Sequence, residues 1–175
     1  MEKGATKPDQ VSYTVALGAW LSSKRIGLEE ALQARELLDR AIQNHEEFGW
    51  NCKPDSYVFS TMIQICGRVN GTALERDQAL NLALCAMKEC TSGSYGTASH
   101  VAYASCMKAV NHLCSDEVKR CEILRTLFDE CQRAGQVSKH VVIAMTKGAW
   151  KESAPPMLAE WSRRVPPQNK PRIER

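Results

Sequence analysis

Eight cysteines and four histidines are the side chains of this 175-residue chain that could ligate a metal or act as nucleophile and base. A zinc site calls for paired ligands at short spacing. No Cys-x-x-Cys occurs, and the nearest approach to a ligand set is His112-Leu113-Cys114 with Cys121 beyond it. No metal site is expected. A nucleophile must sit beside a base, yet His45, His100 and His140 fall in different parts of the chain with no motif joining them to a partner. Neither a phosphate-binding glycine loop nor a nucleophile elbow is present. The sequence therefore predicts no catalytic residues and no cofactor.

The thiols have a simpler reading. No secretory signal is read at the start, and the chain is long enough to build a core without disulfide staples. Cys66, Cys85, Cys106, Cys121 and Cys131 fall on or beside helical apolar positions. A reduced thiol packs there much as alanine does.

The elements that carry these residues repeat. Lys7-Pro8-Asp9-Gln10-Val11-Ser12-Tyr13-Thr14, Lys53-Pro54-Asp55-Ser56-Tyr57-Val58-Phe59-Ser60 and Thr97-Ala98-Ser99-His100-Val101-Ala102-Tyr103-Ala104 open alike, and a weaker copy begins at Ser138. The junctions Asp9, Asp55, Ser99 and Ser138 recur at intervals of roughly 40–45 residues, a period that points to stacked helical hairpins. In the first unit Val11, Val15, Leu17, Ala19 and Trp20 make an apolar helix A. Leu28, Ala31, Leu32, Leu37, Leu38, Ala41 and Ile42 recur at three- and four-residue intervals in a more charged helix B. Pro8 and Pro54 stand ahead of A helices that Asp9 and Asp55 are placed to cap, while Gly49 and Gly135 end B helices. Thr91 to Gly96 reads as a loop. The fold class is all-α, with about three and a half hairpins.

These openings, together with Leu127-Phe128-Asp129-Glu130-Cys131-Gln132-Arg133-Ala134-Gly135 closing a B helix, resemble the pentatricopeptide repeat family over roughly residues 8 to 150. The Pro-Asp junction, the aromatic four positions later and the Leu-Phe-x-Glu-x-x-x-x-Gly ending all match. The units are longer than the family's, with the excess in Ser22 to Leu28, Glu46 to Cys52, Arg68 to Leu74 and Thr91 to Thr97. The resemblance implies a right-handed α-solenoid over residues 8–152. It also implies single-stranded RNA as ligand, read one base per repeat along the A helices. Carried over position by position, the base readers are Thr14 with Asp55, Ser60 with Ser99, and Ala104 with Ser138. Val11, Tyr57, Val101 and His140 would sandwich the bases. Thr14 with Asp55 resembles the family's purine-reading pair. The same residues have an ordinary reading: Thr14 and Ser60 suit the first turns of a helix, Asp55 suits a cap, and Tyr57 could pack between repeats.

Charge bears on the choice. The last thirteen residues carry +4 of a net charge of +3, which leaves −1 on the rest of the chain. Affinity for nucleic acid rests heavily on neutralised phosphates. A near-neutral solenoid must therefore gather its cations on one face or bind something else. Lys24, Arg25, Arg68, Lys108, Lys139, Lys147 and Lys151 lie on or just past A helices and permit such a strip. Three bases select a triplet found about once per 64 random positions, so a partner protein, self-association or a longer repeat array would have to supply further specificity. Residues 153–175 read as a C-terminal cap followed by a basic, disordered tail. No apolar run approaches the roughly 20 residues of a membrane helix. The resemblance implies a mitochondrion or plastid. Met1 to Lys7 is short for a transit peptide, which leaves cytoplasm or nucleus open. Two functions are compatible with the sequence: an RNA-binding adaptor in organellar RNA processing or translation, and a protein-interaction scaffold of tetratricopeptide-like hairpins.

Overall fold

Capping decides where the helices begin. In the computed structural model, which describes residues 7–49 and 51–146, the Asp9 carboxylate accepts the N–H of Ser12 at 2.8 Å. It thereby starts α1 (Gln10–Leu21). Asp55 accepts the N–H groups of Tyr57 and Val58, both at 2.9 Å, and starts α3 (Ser56–Cys66). Ser99 caps α5 (His100–Leu113), and the final A helix is α7 (Lys139–Thr146). The B helices are α2 (Leu28–Phe48), α4 (Ala73–Thr91) and α6 (Glu117–Arg133). Gly49 and Gly135 close α2 and α6 with φ of 63° and 67°. This is a left-handed backbone that a Cβ would strain. Lys147, Lys151 and the expected C-terminal cap and tail lie outside the described residues.

Each B helix packs on its own A helix, each A helix packs on the next, and α2 and α4 also pack on the A helix that follows them. That order of contacts is a stacked helical repeat. The core runs through the A layer: Phe59, Met62, Ile63 and Ile65 of α3 and Cys106, Met107 and Val110 of α5 are fully buried. The B helices meet this layer with small faces such as Ala31, Ala34 and Ala41, or Ala79, Ala83 and Ala86. Small side chains let helix axes approach closely.

The lengthened connections tie neighbouring units together. Ile26 and Val69, both buried, lie in the A-to-B turns of successive units, and the Asn70 N–H donates to the Ile26 carbonyl at 3.0 Å. Tyr95, in the loop after α4, packs its ring 5.3 Å from that of Phe59 and donates its hydroxyl to Glu46 of α2 at 2.6 Å. The additional length thus serves contacts that a shorter turn could not reach.

One end of the stack departs from the sequence pattern. Val11, Val15 and Ala19 were expected to belong to an apolar first helix, but α1 buries only Tyr13 and Leu17. Positions six and ten residues past the junction are buried in α3 (Thr61, Ile65) and in α5 (Ser105, Ala109), each of which has an A helix packed ahead of it. The equivalent Val15 and Ala19 of α1 are exposed, and no A helix precedes α1 among the described residues. The exposure comes from position in the stack rather than from residue type.

All eight cysteines are free. Burial pushes the thiols of Cys66, Cys106 and Cys131 up to about 12. That removes their thiolate chemistry. Cys85 is the departure from expectation. It stands exposed on α4, because that helix turns it away from the A layer.

Candidate binding face on the A helices

Where α3 ends against α5, the two backbones come close together. A Cβ on Gly67 would lie 3.0 Å from the Cβ of Ala109 and 3.2 Å from its Cα. Glycine suits this approach, since any side chain would have to push α5 aside. Beside this contact is a groove of about 460 Å³ with a floor of small residues, Gly67, Ala104, Ser105 and Ala109. Gln64, Arg68, Val101, Lys108 and His140 form its walls. Three successive A helices, α3, α5 and α7, thus contribute to one surface.

The electrostatics of this surface follow from the helix sequences. Within α1, α3, α5 and α7 there is no Asp or Glu, and the permanently charged residues are Lys108 and Lys139. The acidic residues of the helices all lie in α2, α4 and α6. Arg68 is held at the groove by donating to the carbonyls of Leu21 and Ser23, at the C-terminal end of α1. A cation there meets the helix dipole favourably. Lys108 is exposed and forms no ion pair among the described residues. The His140 ring centroid lies 6.0 Å from that of His100, and His112 Nδ1 is 3.0 Å from the Gly67 carbonyl oxygen.

Most of the residues singled out as base readers make hydrogen bonds within the fold. Thr14 donates its hydroxyl to the Gln10 carbonyl at 2.8 Å, and Ser60, 1% exposed, donates to the Tyr57 carbonyl at 2.9 Å. Asp55 is engaged as the α3 cap. Ser99 caps α5 and accepts the Ser56 hydroxyl at 2.8 Å. Ala104 is 3% exposed, on the groove floor, and the Ser138 hydroxyl is buried without a hydrogen-bond partner among the described residues. The four residues expected to sandwich bases form a different set. Val11, Tyr57, Val101 and His140 are exposed at the same register of four successive A helices. Val101, Ala104 and His140 share the groove, whereas Thr14 and Asp55 lie outside it.

Gln64, Gly67 and Ser105 were not singled out from the sequence. Their one visible signal is the recurrence of small and polar residues several positions past the junctions, which acquires meaning only once α3 and α5 are adjacent. A second groove, about 530 Å³, lies between α4 and α6 over Leu84, Met87, Ile123 and Leu127, and its rim mixes Lys88 with Glu122 and Glu130. Among the described residues no cluster of His, Cys, Asp and Glu could hold a metal ion, and no helix is long and apolar enough to cross a membrane.

No protein-family model matches this chain, and no curated protein or solved structure matches it significantly. What the packing defines is a helical-repeat protein in the general sense, with stacked A and B helices.

Proposed function

We propose that this protein is a protein-interaction scaffold that holds a peptide segment or helix of a partner against its A helices. The observation that carries this reading is the groove between α3, α5 and α7, with Val101 in its wall and Val11 and Tyr57 exposed at the same register of α1 and α3, while Thr14 and Ser60 turn their hydroxyls onto their own backbone. Stacked hairpins are suited to this because a preformed row of helices lowers the ordering cost at binding. No catalytic role is assigned to it. The test is affinity purification of partners with the wild-type chain and with a Tyr57→Ser/Val101→Asp double variant, each with and without ribonuclease. Partners that survive ribonuclease and are lost with the double variant support the scaffold. Partners that disappear with ribonuclease overturn it.

Three observations favour a second reading. The Pro-Asp junctions, the exposed Tyr57 and the carboxylate-free A helices suit a right-handed pentatricopeptide-like solenoid that binds single-stranded RNA, as an adaptor in a mitochondrion or plastid. Asp55→Asn tests it, because asparagine caps a helix about as well as aspartate. Unchanged stability with a changed base preference would favour RNA, and no RNA binding by either form would remove it.

A further inference from the structure

We propose that the groove between α3, α5 and α7 recognises an acidic peptide segment, whose carboxylates pair with Lys108 and Arg68 while its backbone lies over the Ala104–Ala109 floor. This deepens the scaffold reading and rests on it. Three observations carry the charge assignment. The groove is lined by Arg68, Lys108 and His140 and by no carboxylate. The A helices contain no Asp or Glu at all, while the B helices hold the acids. An acidic segment thus meets no carboxylate on the A helices, whereas the strongly acidic α2 of the B layer would repel it, and this contrast favours the A face. Lys108 is a cation without an ion-pair partner among the described residues, and Arg68 is fixed in place by two carbonyls of the neighbouring unit.

The floor selects for a chain of this kind. Gly67, Ala104, Ser105 and Ala109 project little, so an extended backbone can lie close to α5. Ser105 adds a hydroxyl within the lining that is able to meet a peptide group. A volume of about 460 Å³ accommodates a few residues rather than a whole helix. RNA would share the negative charge but fits less well. Lys108 and Arg68 neutralise only about two phosphates, whereas nucleic-acid affinity accumulates over many. Of the expected base readers, Ser60 is buried and Ala104 has no hydrogen-bonding side chain.

The experiment is a selection of random linear peptides displayed on phage against the immobilised full chain, repeated with Lys108→Glu and with Tyr57→Ser/Val101→Asp. Circular dichroism melts confirm that each variant folds, as expected for substitutions at exposed positions. Selected peptides enriched in Asp and Glu, with affinity reduced about tenfold by Lys108→Glu, would support the proposal. Peptides with no acidic enrichment that bind the wild type and fail on Tyr57→Ser/Val101→Asp would overturn the charge assignment while leaving the scaffold standing. No peptide selected would overturn both. A pool of single-stranded RNA is titrated alongside at low and raised ionic strength. Salt-sensitive RNA binding lost in Lys108→Glu, with no acidic peptides recovered, would assign the groove to nucleic acid instead.

Discussion

Arg35 of α2 grips Glu89 of α4 at two points, Nη1 to Oε2 at 3.0 Å and Nη2 to Oε1 at 2.8 Å, and the same guanidinium reaches Asp39 one turn along its own helix. Burial works against the charge on Arg35. The hydrogen bonds to Glu89 and Asp39 outweigh that penalty and raise its pKa further, so the residue stays cationic at every accessible pH. The planar fork of arginine matches a carboxylate in a way lysine cannot. This pair is the polar counterpart of the apolar stacking between the first two units.

Removing Arg35 takes the cation from the partly buried Glu89, and removing the Glu89 charge leaves Arg35 with Asp39 of its own helix. Glu89→Gln and Arg35→Leu are each expected to lower stability by about 1–2 kcal/mol, and the double variant by less than the sum. Urea unfolding of the four proteins in a double-mutant cycle checks this. Strict additivity would mean that the pair does not couple the units.

Gly67 is the contact on which α3 and α5 close. Gly67→Val has no space against Ala109. It is expected to cost about 2–3 kcal/mol, with Gly67→Ala milder because a single methyl asks the neighbour to yield only a little. Thermal melts rank the three proteins. A neutral Gly67→Val would show that the units can separate there freely, and the groove would not be a fixed feature.

The exposed end of the stack makes a sharp comparison between α1 and α3, at two positions that face the preceding unit. Val15 on α1 is 67% exposed. Val15→Glu should therefore change stability by less than about 0.5 kcal/mol. Ile65 on α3 is fully buried. Ile65→Glu places a charge there, and it should unfold the protein or cost more than about 3 kcal/mol. Soluble yield and far-ultraviolet circular dichroism distinguish the two. A large effect at Val15 would reveal that the α1 face is covered in solution.

The start of α4 should respond to acid. The N–H of Thr72 and then its hydroxyl, at 2.7 and 2.8 Å from the Glu75 carboxylate, hold that group below its usual 4.5. Because the folded pKa is depressed, the stabilisation is fully present above the unfolded value near 4.5 and is lost as the pH falls through the lower folded value. Glu75→Gln should therefore flatten the loss of stability on acidification while leaving its neutral-pH slope unchanged. Denaturant midpoints across the acid range measure the difference, and identical curves would place the acid sensitivity elsewhere.

Much of the architecture was legible in the chain. Asp9, Asp55 and Ser99 mark helix starts, and Gly49 and Gly135 mark helix ends, because capping and left-handed closure are local effects of one or a few residues. The alternation of charge-poor and charged helices was equally visible, since the inner A helices α3 and α5 are enclosed by neighbours and the B helices face solvent on one side. The candidate site was legible only in part. Val101, Ala104, Lys108 and His140 were named from the sequence and line the groove, while Gln64, Gly67, Ser105 and Ala109 acquire their place only from the packing of α3 on α5.

Sequence alone determined the hairpin unit, its caps, its repeat and the absence of a motif for catalysis or metal binding, because each depends on residue types at fixed short spacing. Tertiary structure decided which faces are open. It exposed Val15 while burying Ile65, favoured glycine at position 67 through the approach of Ala109, and joined Arg35 to Glu89 across 54 positions of chain. These relations depend on which helix lies beside which, and pairwise contact between distant segments leaves no local pattern for a sequence to display.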